Sequence, residues 1–291
     1  MLWAIFALLA AFVHSIVNIV DKIAVSKEMR DPIFATAIFG GIMFVAFGLI
    51  GFFVDIMIPY TFILASFIAG IFSWFAVYLY YKILVKEEVS KFMPILSLGP
   101  LFVMTLAYFF LNEVLTMLDY IGIFVLVSGA FIMSLKEFKL KFGLKEGFLI
   151  ILATILLFSL EKIAIKFASL SVSIWPVMFW VAIGEGIVAF FAFILHKAHI
   201  KGKLRKKGVE HLIIANVLTI FGAALAFIAI SLGPVSLVSA MSKVQMLFIF
   251  LGTSMLTKFY PKILKEKLTK KIIIQKIIAI TLIIAGAILV I

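Results

Sequence analysis

Two short stretches decide how this chain is read: DKIAV at Asp21–Val25 and EKIAI at Glu161–Ile165. Each puts an acid–base pair into a long apolar run. The chain is 65% hydrophobic and only 14% charged, with a mean hydropathy of +1.29. A soluble domain carries about a quarter of its residues as charges. So few polar groups cannot cover a surface that faces water. The sequence therefore predicts an all-α integral membrane protein, because backbone groups in lipid need partners within their own segment.

A helix crosses the hydrocarbon with roughly 20 apolar residues. Ten runs of that kind fit the 291 residues, at 2–25, 32–54, 60–85, 89–111, 117–134, 147–168, 173–195, 211–232, 235–257 and 272–291. Pro32, Pro59, Pro176 and Pro234 stand near the starts of runs, where a missing N–H costs nothing. Pro94 and Pro100 lie deeper in the fourth run and predict a kink. No polar stretch is long enough for a soluble catalytic domain. The start, MLWAIFALLAAF, has no basic region ahead of its apolar run and reads as a first span rather than a signal peptide.

Basic residues follow the connections. Lys27 and Arg30 lie between spans one and two, and Lys86 and Lys91 between three and four. Lys136, Lys139, Lys141 and Lys145 lie between five and six. Lys197, Lys201, Lys203, Arg205, Lys206 and Lys207 lie between seven and eight. Lys258, Lys262, Lys265, Lys267, Lys270 and Lys271 lie between nine and ten. Connections 2–3, 4–5 and 8–9 hold none. The positive-inside rule then places the lysine-rich, odd-numbered loops in the cytoplasm of a multi-pass protein of the cell membrane. The same distribution accounts for the net charge of +12 without nucleic acid as a partner.

DKIAV ends span one and EKIAI falls toward the end of span six. Five spans separate them, an odd number, so the two copies point in opposite directions through the bilayer. NEVLT (Asn112–Thr116) after span four is echoed by KEKLT (Lys265–Thr269) before span ten. KEEVS (Lys86–Ser90) and GPVS (Gly233–Ser236) each join the third and fourth spans of a half. The expectation is two inverted-topology five-helix repeats, 1–135 and 147–291, joined by a basic loop at 136–146. Inverted repeats of this kind enclose a site near the bilayer midplane.

These residues carry a family resemblance. The run SLGPLFVMTLAYFFLNEVLTMLDYIGIFVLVSGAFIM (Ser97–Met133) resembles the end of an EamA repeat. So do ISLGPVSLVSAMSKVQMLFIF (Ile230–Phe250), KEKLT and the closing IIAGAILVI. In the second half Gln245-Met246 stands where Gly99-Pro100 stands in the first. The chain is thus similar to members of the drug/metabolite transporter superfamily. The resemblance implies transport of a small solute such as an amino acid, a nucleotide-linked sugar or a drug-like cation. It also puts the last helix of each half at the periphery, where a homodimer would form. Gly122 and Gly129, on one face of span five, read more simply as packing inside one chain.

Ionisable groups deep in a span are functional candidates by default. His14, Asn18 and Asp21 share one helical face of span one, with Lys22 on its flank. Glu161 and Lys162 are the counterparts in span six. The two acid–base pairs, Asp21–Lys22 and Glu161–Lys162, would gate opposite mouths of one pathway. Glu185 lies midway along span seven and Lys243 lies deep in span nine, which predicts a Glu185–Lys243 ion pair. Ser239, Ser242 and Lys243 make span nine polar for its depth, and a lysine there suits an anionic substrate group. Trp74, Tyr78 and Tyr81 recur at helical spacing in span three, and Trp74 and Tyr78 are candidates for an aromatic binding wall.

No catalytic constellation, metal-ligand spacing or phosphate-binding loop is present, and no cofactor is implied. The reading is a secondary transporter rather than an enzyme. A lipid or lipid-linked-sugar flippase and a non-transporting structural membrane protein are the alternatives. The basic run HKAHIKGKLRKK (His196–Lys207) would attract anionic lipid head groups.

Overall fold

In the computed structural model, residues 1–25, 31–86, 89–135, 145–196, 206–259 and 270–291 are described. Among these described residues twelve α-helices follow in chain order. They are α1 (Leu2–Ile23), α2 (Pro32–Gly48), α3 (Tyr60–Lys86), α4 (Val89–Leu96), α5 (Gly99–Leu111) and α6 (Met117–Ser134). The second set is α7 (Lys145–Ser169), α8 (Ile174–His196), α9 (Lys206–Leu232), α10 (Val235–Met241), α11 (Gln245–Phe259) and α12 (Lys270–Val290). They make ten spans long and apolar enough to cross a bilayer. Span four is α4 plus α5, and span nine is α10 plus α11. Each of the other spans is built on one helix.

Local sequence sets the ends. Asp31 caps α2, accepting from the Phe34 amide at 3.1 Å, with Pro32 next in line. Thr116 and Asp119 form a capping box at the start of α6. Asn112 closes α5 in the left-handed region at φ 52°, a conformation asparagine tolerates better than most residues. Span eight begins at Lys206 rather than near 211. A helix can run past the apolar stretch because Lys206 and Glu210, one turn apart, are both suited to water. The connecting residues 136–144 and the KEKLT motif lie outside the described residues.

Span four breaks at Ser97–Leu98, as Pro100 requires. Span nine breaks too, at a tight 3-10 turn over Ser242–Val244, although no proline stands there. After each break the helix resumes ten residues beyond the first residue of the opening Val-Ser pair, at Gly99 after Val89-Ser90 and at Gln245 after Val235-Ser236.

Eight spans close into a ring through the contacts 7–2, 2–8, 8–1, 1–9, 9–4, 4–6, 6–3 and 3–7. Shifting span numbers by five exchanges these contacts: 1–8 becomes 6–3, 9–1 becomes 4–6, and 7–2 maps onto itself. Spans five and ten pack on each other outside the ring, behind four and nine. A Cβ added at Gly122 would lie 2.8 Å from Val290, and one at Gly286 would lie 2.4 Å from the Leu126 amide. Gln275 donates to the Ile132 and Leu135 carbonyls at 2.7 and 2.8 Å. The glycine face of span five is therefore filled by span ten of the same chain.

Candidate functional site

The ring encloses a cavity of about 340 Å³. Its wall carries His14, Asn18 and Asp21 from span one, Glu161 and Lys162 from span six, Glu185 from span seven, and Ser242 and Lys243 from span nine. Apolar side chains such as Phe39, Met43, Phe158 and Phe227 fill the rest of the wall.

Glycines place the acidic side. A Cβ at Gly70 would lie 2.0 Å from the Val181 carbonyl oxygen, and one at Gly184 would lie 2.3 Å from that of Phe67. Spans three and seven therefore cross backbone on backbone. The crossing brings Ser73, one turn from Gly70, beside Glu185. The Ser73 hydroxyl lies beside both the Glu185 and the Glu161 carboxylates. Two acids from different spans thus lie near one another beside one serine.

The basic side lies at the two breaks. Pro100 has no N–H, so the Leu96 carbonyl, four residues back, loses its helical donor. Lys243, carried by the turn that interrupts span nine, donates to that carbonyl at 3.3 Å. Lys162 donates to Ser239 in span nine at 3.2 Å. Lys162 also lies within electrostatic reach of Lys243, Glu161 and His14.

Several expectations need correction. No ion pair joins Glu185 to Lys243: the carboxylate is held at the three–seven crossing and the ammonium at the Leu96 carbonyl. Trp74 and Tyr78 do not reach the cavity. They stack at 5.8 Å with an 11° interplanar angle and line a separate groove between spans two, three and seven. Ser73, Val77, Tyr80 and Tyr81 present span three to the cavity instead. Ser239 stands behind the wall as the partner of Lys162. The two acid–base pairs do not occupy matching mouths. Span one ends soon after Asp21, whereas span six runs two further turns beyond Glu161 to Ser169. Glu161 and Lys162 are therefore central. Lys22 is half-buried beside the seam and is not part of the wall.

Asp21 does sit near an end. Tyr81 donates to both its carboxylate oxygens at 3.3 Å. Tyr80 donates to Asn18 at 3.0 Å, and Asn18 to the His14 carbonyl at 2.8 Å. Beyond this polar layer, Ala24, Val25, Leu84, Phe92, Ile155 and Leu212 pack as one apolar cluster toward the lysine-bearing loops. Tyr80 was not singled out in the sequence, because tyrosines in an apolar helix do not announce which way they turn.

Glu113 and Lys166 hold the opposite face. The Glu113 carboxylate accepts from the Val235 and Ser236 amides at 2.8 and 3.0 Å. Lys166 donates to the Ile230 and Gly233 carbonyls at 2.9 and 2.8 Å. Each charge meets the helix end of opposite sign.

Residues 1–135 match the EamA-like transporter family. The first half of the chain is thus similar to members of that family. Twenty-four chains of solved structures match it. One crystal structure, 16% identical, superposes with a TM-score of 0.75 over 99% of this chain and 97% of that one. That likeness extends the shared fold across both halves. No curated protein matches the sequence. The chain is accordingly a multi-pass membrane protein whose first half is similar to EamA-like transporters.

Proposed function

We propose that this protein is a secondary transporter of a small dipolar organic solute, of amino-acid size, working by alternating access. The observation that carries the reading is the presence of two carboxylates and two ammonium groups on the wall of one partly open cavity. Glu161 and Glu185 lie beside Ser73 on the three–seven side, while Lys162 and Lys243 reach toward the breaks in spans nine and four. A solute with an ammonium and a carboxylate satisfies both sides. A singly charged one leaves buried charges uncompensated, which is costly. The apolar wall suits an uncharged body.

The volume agrees. Ligand pockets span roughly 300–1,000 Å³, and about 340 Å³ favours a small metabolite over a nucleotide-linked sugar. Interrupted helices meeting at a central site are a recurring device of secondary transporters. Because spans of both halves line the cavity, rocking one half against the other would open it to alternate faces. Asp21 with Tyr81 would close the lysine-side mouth. The lysine-bearing loops are assigned to the cytoplasm, in the cell membrane.

The test is counterflow in proteoliposomes loaded with unlabelled solute. Zwitterionic amino acids should drive uptake of label, whereas simple organic anions and cations should not. Exchange confined to organic cations or to anions would replace the dipolar assignment. Lipid scrambling without solute exchange would favour the flippase.

A further inference from the structure

The groove between spans two, three and seven is separate from the cavity and has a volume of about 480 Å³. The stacked Trp74 and Tyr78 form one wall and Val188 and Ala192 another, with Phe191 and Leu195 largely exposed at its lip. This surface belongs to spans that cross the bilayer, so hydrocarbon is its solvent.

Its two ends differ. The deep end, at Trp74 and Val188, is uncharged. The other end lies where α2 begins and α3 and α8 finish, the face of the lysine-bearing loops. There the Lys82 ammonium sits 5.7 Å from the Tyr78 ring centroid. His196 lines the groove and pairs with Asp31 at 2.8 Å. Asp31 also accepts from the Phe34 amide, so its charge is shared inside the protein. Lys206 and Lys207 open α9 on the same face. Trp74 to Lys82 and Val188 to His196 are each eight residues, or about 12 Å at ~1.5 Å per residue. The groove thus begins at a cationic rim and runs partway into one leaflet.

We infer that this groove is a binding site for an anionic phospholipid of the lysine-side leaflet. One acyl chain lies along the Trp74–Tyr78 wall and the phosphate sits at Lys82. The chain replaces hydrocarbon with hydrocarbon, so the apolar wall gives shape selectivity and little net affinity. Preference for a negative headgroup comes from the rim, at about fivefold for each basic residue engaged.

Tryptophan quenching by brominated lipid tests the site. A protein with Trp3, Trp175 and Trp180 replaced by Phe keeps Trp74 as its sole tryptophan. In mixed bilayers, brominated phosphatidylglycerol should quench Trp74 at about a fivefold lower mole fraction than brominated phosphatidylcholine. Lys82→Gln should remove most of that preference and Lys82→Arg should keep it. Should the triple variant fold poorly, the preference is read as the difference between the native protein and Trp74→Phe. Equal quenching by both lipids, or a preference untouched by Lys82→Gln, overturns the inference.

Discussion

Lys243 donates its ammonium to the Leu96 carbonyl, tying the break in span nine to the break in span four at 3.3 Å. The bond exists because Pro100 leaves that carbonyl without a helical donor. Lys243→Met should lower the stability of the ligand-free protein by about 1–3 kcal/mol, the usual cost of an unsatisfied buried acceptor. Adding Pro100→Ala supplies an amide within reach of Leu96. The double variant should unfold at a higher temperature than Lys243→Met alone. A double variant no more stable than the single one would mean that the carbonyl has another partner.

The crossing of spans three and seven is set by glycine. A Cβ at Gly70 would fall 2.0 Å from a backbone oxygen, which no side-chain rotation relieves. Gly70→Ala should destabilise by about 1–3 kcal/mol or more and displace Ser73 from Glu185. At Gly41 a Cβ meets nothing within 4 Å, so Gly41→Ala should be neutral or slightly stabilising. Thermal unfolding of the two variants side by side checks the contrast.

Glu185→Gln keeps the shape of the acidic corner and removes its charge. Uptake into proteoliposomes should fall at least tenfold, about the effect of one charge-assisted hydrogen bond. Ser73→Ala keeps both carboxylates and should cost less. Native uptake in Glu185→Gln would remove this corner from the binding site.

Only one of the two aromatic faces of span three meets the cavity. Tyr81→Phe removes the hydroxyl that holds Asp21 and should weaken solute affinity severalfold, or about 1 kcal/mol. Trp74→Phe lies in the groove outside the ring and should leave solute affinity unchanged. Titration calorimetry on the two variants reads the difference directly.

The ten spans were legible because apolar length is a local property of the sequence. So was the break in span four, announced by Pro100. The break in span nine carries no proline, and only its register with span four betrays it. Glu185 could be placed at depth by counting residues, but its partner could not. Ser73 lies far off in sequence and meets Glu185 only because Gly70 and Gly184 let two backbones touch. The choice of Trp74 and Tyr78 over Tyr80 missed by a rotation of about 100° per residue. In a soluble helix the polar face fixes that rotation. In a helix apolar all round, packing alone decides it.

The most direct test of the dipolar cavity is a thermal-shift comparison of the purified native protein, Lys243→Met and Glu185→Gln. Each is screened against zwitterionic amino acids, matched monocarboxylates and matched amines. Bound ligand raises the unfolding midpoint according to its concentration relative to its dissociation constant. The account predicts a shift of the native protein by one or more zwitterions, lost in both variants, and little shift by either half-molecule. A full shift with the monocarboxylate or the amine alone, or a zwitterion shift that survives in both variants, would contradict it.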